Sequence, residues 1–340
     1  MMTILRRVFG GFLLLMALLC FGYPYYKDWQ MQQRAEEMTR QVQQQITTEE
    51  PEQNPASASS EPNLTPATPK EAFPLYQTLF TYNQRLSTEG QQLVDAWSYQ
   101  QEVVSFDELP NGEFGSIEIP DMGVSMPLYL GASEDHLAQG AAVLSETSIP
   151  IGGSNTNAVI SGHRGWYGHR YFQDIEQLTV GSLVYIHNPW ETLTYRAVGI
   201  DIIDPYDIDA VKIQPDKDMI TLLTCHPIRT WIGGGTYRYL VYCERVSSEE
   251  TVEQTTEPLP QLHPNDAITQ AVEEESASID AFVSMEPILR IIVPVLLLVL
   301  GLFLLFAPAS HPHTCRKKSK HILCSGSNKY TKLINLENRF

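Results

Sequence analysis

Between residues 115 and 246 the apolar residues fall in short runs separated by turn-forming residues, and this texture most limits what the chain can build. Ser116-Ile117-Glu118-Ile119-Pro120 and Met126-Pro127-Leu128-Tyr129 flank one turn. Further strands are predicted over 158–160, 183–186, 193–198, 219–224 and 239–243, and single short helices over 134–139 and 171–178. Closely spaced strands with few helices predict a mainly β fold, a barrel or a sandwich. About 130 residues are enough for one core.

The flanks differ in kind. Residues 8–23 are almost wholly apolar, follow Arg6 and Arg7, and contain no acidic residue. This suits a signal peptide or an N-terminal signal anchor. With no small-x-small cleavage site behind it, and Leu18-Leu19 ahead of Cys20, the reading is a retained anchor over 1–26. A second uncharged run, 291–309, precedes Arg316-Lys317-Lys318, and 287–309 is read as a second transmembrane helix. Basic residues at both ends place both termini in the cytoplasm. Residues 24–286 carry 13 Lys and Arg against 39 Asp and Glu, a net of −26, whereas the tail over 310–340 is basic. The acidic part therefore faces outward from the cell membrane and lacks the basic footprint that nucleic-acid binding requires.

The stretches between are polar. Residues 27–46 lack Pro and Gly and predict a solvated helical stalk, with a Pro/Ser/Glu-rich disordered spacer completing 27–70. Phe73, Tyr76, Leu79, Phe80 and Leu86 recur at helical spacing and open a helical region, 71–114, that contains Asp95-Ala96-Trp97. Residues 247–286 read as an acidic spacer.

Of the cysteines, only Cys225 and Cys243 lie in the exported part. If one strand runs from Arg238 to Cys243 and Arg238 neighbours Cys225, the two sulfurs are held about 16 Å apart at ~3.3 Å per residue. No CxxC pair of the metal-binding kind occurs. Cys225 then reads as a free thiol at the exit of the run Met219-Ile220-Thr221-Leu222-Leu223-Thr224. Burial as a packing residue is the alternative for such a cysteine. Activation instead needs a cation or an imidazole nearby.

Ser161-Gly162-His163-Arg164-Gly165 ends the apolar run Ala158-Val159-Ile160, so His163 is presented in a Gly-flanked turn. His169 is the weaker choice, and His136, His187 and His263 offer no comparable setting. His226 adjoins Cys225, but neighbours on an extended chain point to opposite faces. Arg238 opens the run Tyr239-Leu240-Val241-Tyr242, where a fixed guanidinium would donate to a developing oxyanion. Arg229 and Arg245 compete with it but open no strand. A cysteine, a histidine and an arginine at strand edges are the inventory of a thiol acyl-transfer enzyme.

These residues resemble the sortases, membrane-anchored cysteine transpeptidases of Gram-positive bacteria. Thr221 to Cys225 meet the family's TLxTC signature with Leu223 at the free position; His163 and Arg238 match its histidine and arginine. The likeness covers 115–246 and implies a closed sortase-type β-barrel, with a helical lid region ahead of it and two transmembrane helices. It implies that Cys225 is the nucleophile, His163 the general acid and base, and Arg238 the stabiliser of oxyanion and substrate, with Thr224 in support. The substrate would be an LPxTG-like sorting signal, so the chain is expected to act as a thiol protease, a hydrolase-type cleavage coupled to transfer, and to need no cofactor.

Two spans and a basic tail resemble class C, the sortases of pilus assembly, whose lid carries an Asp-Pro-aromatic motif. Asp95-Ala96-Trp97 is similar, with Ala96 in place of proline, and the segment 227–236 departs from common pilin-type patterns. The acceptor amine would be a pilin lysine or, for anchoring to the cell wall, a peptidoglycan cross-bridge. A membrane-tethered module that binds without chemistry is the third reading.

Overall fold

The computed structural model describes residues 2–48, 69–93, 109–165, 169–227, 235–246, 255–283 and 285–306. Eight strands close a barrel in the order β1-β2-β3-β4-β7-β8-β6-β5. They are β1 (Glu113–Ile119), β2 (Val124–Leu130), β3 (Ala141–Val143), β4 (Thr156–Ser161), β5 (Leu183–His187), β6 (Thr192–Ile203), β7 (Asp218–His226) and β8 (Tyr237–Arg245). The β2–β3 and β4–β7 pairs are parallel and the others antiparallel, with β1 against β5 closing the ring. The barrel, not the sandwich, is the fold. Sequence periodicity missed β3, where Ala141 and Ala142 lack the bulk that marks a strand.

Alternation along each strand sorts the side chains. Ile117, Leu128, Ile160, Ile186, Ile220, Leu222 and Val241 belong to one buried core. On the other face of β4, β7 and β8, Val159, Met219, Leu223, Leu240 and Tyr242 join Ile203, Val211 and Leu93 in a second cluster. The closed barrel thus has a covered outer flank beneath the strand ends that carry the chemistry.

Helix α1 (Met2–Thr48) runs unbroken from the apolar segment into the stalk. The stalk is helical as its composition predicts but is not solvated all round. Met31, Ala35 and Met38, at i, i+4 and i+7, are buried, and Thr39 Oγ1 lies 2.9 Å from Ser116 Oγ on β1. Helix α2 (Pro74–Glu89) buries Tyr76, Leu79 and Leu86 as the spacing predicts, but it buries Leu75 as well and leaves Phe80 exposed. Its Asn83 exchanges two hydrogen bonds with the backbone of Ile149, at 2.9 and 2.8 Å. A four-residue helix α3 (Glu134–Leu137) follows β2; within 171–178 only a 3-10 turn, Ile175–Gln177, forms.

One expectation needs correction. Residues 255–283, read as spacer, are folded. Val180 N donates to Glu257 O, Ile200 N to Pro260 O and Leu262 N to Ile200 O, so 255–262 lies across β6. Helix α4 (Asp266–Val283) follows, and its Glu275 accepts from Thr236 Oγ1 at 2.9 Å. The expected spans are met in part. Among the described residues one helix is long and apolar enough to cross a membrane, within Ile4–Gln41. In α5 (Met285–Phe306), which packs against α1, the apolar segment Ile291–Phe306 falls short of that length; residues 307–309 lie outside the described residues.

Candidate active site

The three site residues converge through strand pairing. In the antiparallel β7–β8 ladder Cys225 lies directly opposite Arg238. Cross-strand partners have Cβ atoms about 5 Å apart on the same face, and here that face is the outer one, shared with Leu223 and Leu240. On the other side of β7 the parallel β4 register ends at Ser161 opposite Leu223, so His163 comes level with Cys225 two residues further on. Gly162 N donates to Leu223 O at 3.1 Å, and Thr224 Oγ1 donates to Gly162 O at 2.8 Å. Thr224 is 1% exposed, so its hydroxyl holds the His163 turn against β7.

Two glycines let the strand ends approach. A Cβ on Gly162 would lie 2.8 Å from the ring of Phe172, which packs beneath the His163 turn. A Cβ on Gly235 would lie 2.2 Å from the His226 carbonyl, so only glycine lets β8 start beside the end of β7. Arg238 Nη1 donates to Gly235 O and Tyr237 O, each at 3.0 Å, which fixes the guanidinium at the strand edge.

His163 stands edge-on to Tyr171, ring centroids 5.8 Å apart, and burial pushes its pKa down from 6.5 to about 4. The imidazole is therefore neutral at neutral pH. Folding disfavours its charged form, so the unfolded chain takes up this proton first as pH falls. Stability is then lost between pH 6.5 and about 4; with partial exposure the loss is on the order of 2 kcal/mol. Thermal melts from pH 7 to pH 4 (~3 units) should show this decline in the native chain and a shallower one in His163→Asn; parallel curves would refute it.

Behind the thiol lies a cluster that the sequence did not reveal. Arg164, 7% exposed, bonds Glu176 at 2.5 Å, lies 3.2 Å from His226 Nδ1, and reaches Cys225 O at 3.5 Å. His226 Nδ1 also lies 3.3 Å from Glu176, and the ring of Tyr239 packs against both His226 and Arg164. Hydrogen bonding from His226, then the charge of Arg164, hold the Glu176 carboxyl down at about 2. His226 thus sits on the interior side of β7, away from the thiol face, as alternation predicts.

The remaining histidines have local tasks. His136 bonds Gly131 O at 2.6 Å and stacks on Tyr129, His187 pairs with Thr192, and His263 clasps buried Asp201 at 2.7 Å. His169 lies beside α1 in a small cleft with Asp28 and Met31. Cys243 is fully buried opposite Ile220, both cysteines are free, and burial pushes the Cys243 thiol up. Among the described residues no group of three or more His, Cys, Asp or Glu side chains could hold a metal ion. Asp95, Ala96, Trp97 and Arg229 lie outside the described residues.

The closed barrel thus brings a thiol, an imidazole and a guanidinium to adjacent strand ends. Residues 117–246 match the Sortase domain. It is 28% identical over 133 residues to Sortase D of Bacillus subtilis (strain 168), covering 39% of this chain and 64% of that protein. Over 114 residues it is 31% identical to Sortase A of Streptococcus agalactiae serotype III (strain NEM316), covering 33% and 46%. The chain thus spans less than two thirds of the length of either relative. Among solved structures it is similar to sortase C from Clostridium perfringens SM101, with 36% identity, 51% and 88% coverage and a TM-score of 0.42. Streptococcus agalactiae sortase C1 in complex with MTSET is similar at 28% identity, 52% and 89% coverage and a TM-score of 0.46.

Proposed function

We propose that this chain is a membrane-anchored cysteine transpeptidase that cleaves an LPxTG-like sorting signal and transfers it to an amine. The observation that carries the reading is the pairing of Cys225 with Arg238 across β7–β8, with His163 level on the β4 side. Sulfur attack on the Thr–Gly carbonyl passes the thiol proton to the neutral His163 imidazole. Arg238 donates to the oxyanion as it forms. Collapse breaks the C–N bond, the imidazolium protonates the leaving glycine amine, and a thioester remains on Cys225. The incoming amine attacks the thioester and loses its proton to His163, which returns it to the departing sulfur. Thr224 serves this sequence by holding the His163 turn.

The acceptor is a pilin lysine, as in class C. The uncharged run 291–309 in the sequence and the basic residues behind it support a second span, with both termini in the cytoplasm. The position of Leu93 supports a lid. It belongs to the hydrophobic cluster of Leu223 and Leu240, each two residues from Cys225 or Arg238, and Asp95 follows two residues later. Replacing Asp95 and Trp97 together with alanine should speed labelling of Cys225 by a thiol reagent at least several-fold, and an unchanged rate would refute the lid. Ala96 in place of proline favours a second reading, transfer to a peptidoglycan cross-bridge amine. Offering the acyl-enzyme a lysine-bearing pilin peptide and a cross-bridge peptide in competition separates the two.

The deciding test incubates the full chain in detergent with an LPxTG peptide and seeks a covalent mass adduct. An adduct on Cys225 is the expected result. Its absence, with Asp95 and Trp97 also replaced, would leave either a different sorting signal or the module that binds without chemistry.

A further inference from the structure

Arg164 follows His163, His226 follows Cys225 and Tyr239 follows Arg238 in the chain, so each residue assigned to the chemistry has a neighbour in one cluster. The cluster occupies the interior side of the barrel end, where His226 and Tyr239 alternate with Cys225 and Arg238 on β7 and β8. Arg164 spans the gap between the β4 turn and β7, touching the His226 ring and the Cys225 carbonyl. Glu176, on the 3-10 turn, supplies the carboxylate that balances the Arg164 charge, and its side chain is about half exposed. A guanidinium with 5% side-chain exposure must be matched by charge and hydrogen bonds to remain there.

We propose that Arg164, Glu176 and His226 are positioning residues that hold the Cys225 and His163 backbones in register and set the electrostatic potential at the thiol from behind the sheet. The inference rests on the thiol chemistry proposed above. Its physical content is a balance of opposite charges. The groups facing Cys225 are Arg238 across the ladder and His163 beside it on the outer side, with Arg164 and Glu176 behind. Removing the carboxylate leaves a buried cation near the thiol and favours the thiolate; removing the cation leaves a carboxylate and disfavours it.

The test is the pH profile of Cys225 alkylation by iodoacetamide in the full chain, with the modified peptide identified by mass. In Glu176→Gln the midpoint should fall, and in Arg164→Met it should rise, each by about half a pH unit or more. Arg164→Lys, which keeps the charge, should stay near the native midpoint. A cluster that only closes the barrel would lower the melting temperature in these variants without separating their midpoints. Midpoints that stay put, or that move the same way in Glu176→Gln and Arg164→Met, would overturn the proposal. Alkylation needs no sorting signal. Oppositely displaced midpoints in a chain that forms no peptide adduct would support the cluster while removing the transpeptidase reading.

Discussion

Cys225→Ala is expected to abolish the peptide adduct, and Arg238→Ala to slow its formation by about 10²–10³-fold, the range for losing an oxyanion donor. His163→Ala should slow it by about 10²–10⁴-fold, the span of general acid–base catalysis. The three losses have different signatures. Cys225→Ala removes the acceptor sulfur, so neither peptide nor alkylating reagent can leave an adduct at residue 225. Arg238→Ala keeps the thiol and its β7 setting, so iodoacetamide still labels Cys225 while peptide acylation is slowed. Arg238→Lys should recover only part of the rate, because an ammonium cannot reproduce a fork held by Gly235 O and Tyr237 O. Mass spectrometry of the chain after timed exposure to peptide reads all of these outcomes. Full acylation in Arg238→Ala would remove Arg238 from the mechanism.

Asn157→Ala is expected to destabilise the barrel by about 3 kcal/mol, the scale of leaving buried polar groups unpaired. Asn157 is fully buried. Its Nδ2 donates to Val211 O at 3.0 Å, and its Oδ1 accepts from Thr221 Oγ1 at 2.8 Å. Alanine would strand that carbonyl and that hydroxyl together, with no water able to reach the Thr221 side. The melting temperature should fall by roughly 10 °C for a domain of this size. A fall of only a degree or two (~0.5 kcal/mol) would show that the network relaxes around the loss. The consequence reaches the site, because Thr221 lies on β7, the strand that presents Cys225. Each threonine of the TLxTC signature thus has a hydroxyl bonded to β4 or its turn, Thr221 to Asn157 and Thr224 to Gly162.

What could be read in the sequence was whatever rests on local pattern. Cys225, His163 and Arg238 were visible because each ends or opens an apolar run, and strand ends are where a barrel presents side chains. The opposite facing of His226 followed from alternation alone. Arg164 and Glu176 were not visible, because the burial of a charge depends on partners that the fold brings in from 12 and 62 residues away. The segment over β6 was hidden by its own composition. Pro258 and Pro260 suggested a spacer, yet a proline that lacks N–H still offers its carbonyl, and Pro260 O accepts from Ile200 N. Met31, Ala35 and Met38 were likewise masked by the surrounding glutamines and charges, although their spacing marks a helix face.

That buried stripe on α1 has a mechanical meaning. The stretch from Lys27 to Thr48 rises about 33 Å at ~1.5 Å per residue, and β1 and β2 are fastened to its side rather than hung from its end. With the apolar half of the helix in a bilayer, the barrel is a fixture on a mast, with its height and heading set together. A substrate tethered in the same membrane would meet the thiol at one altitude, and the length of its own tether would decide whether its cleavage point arrives there.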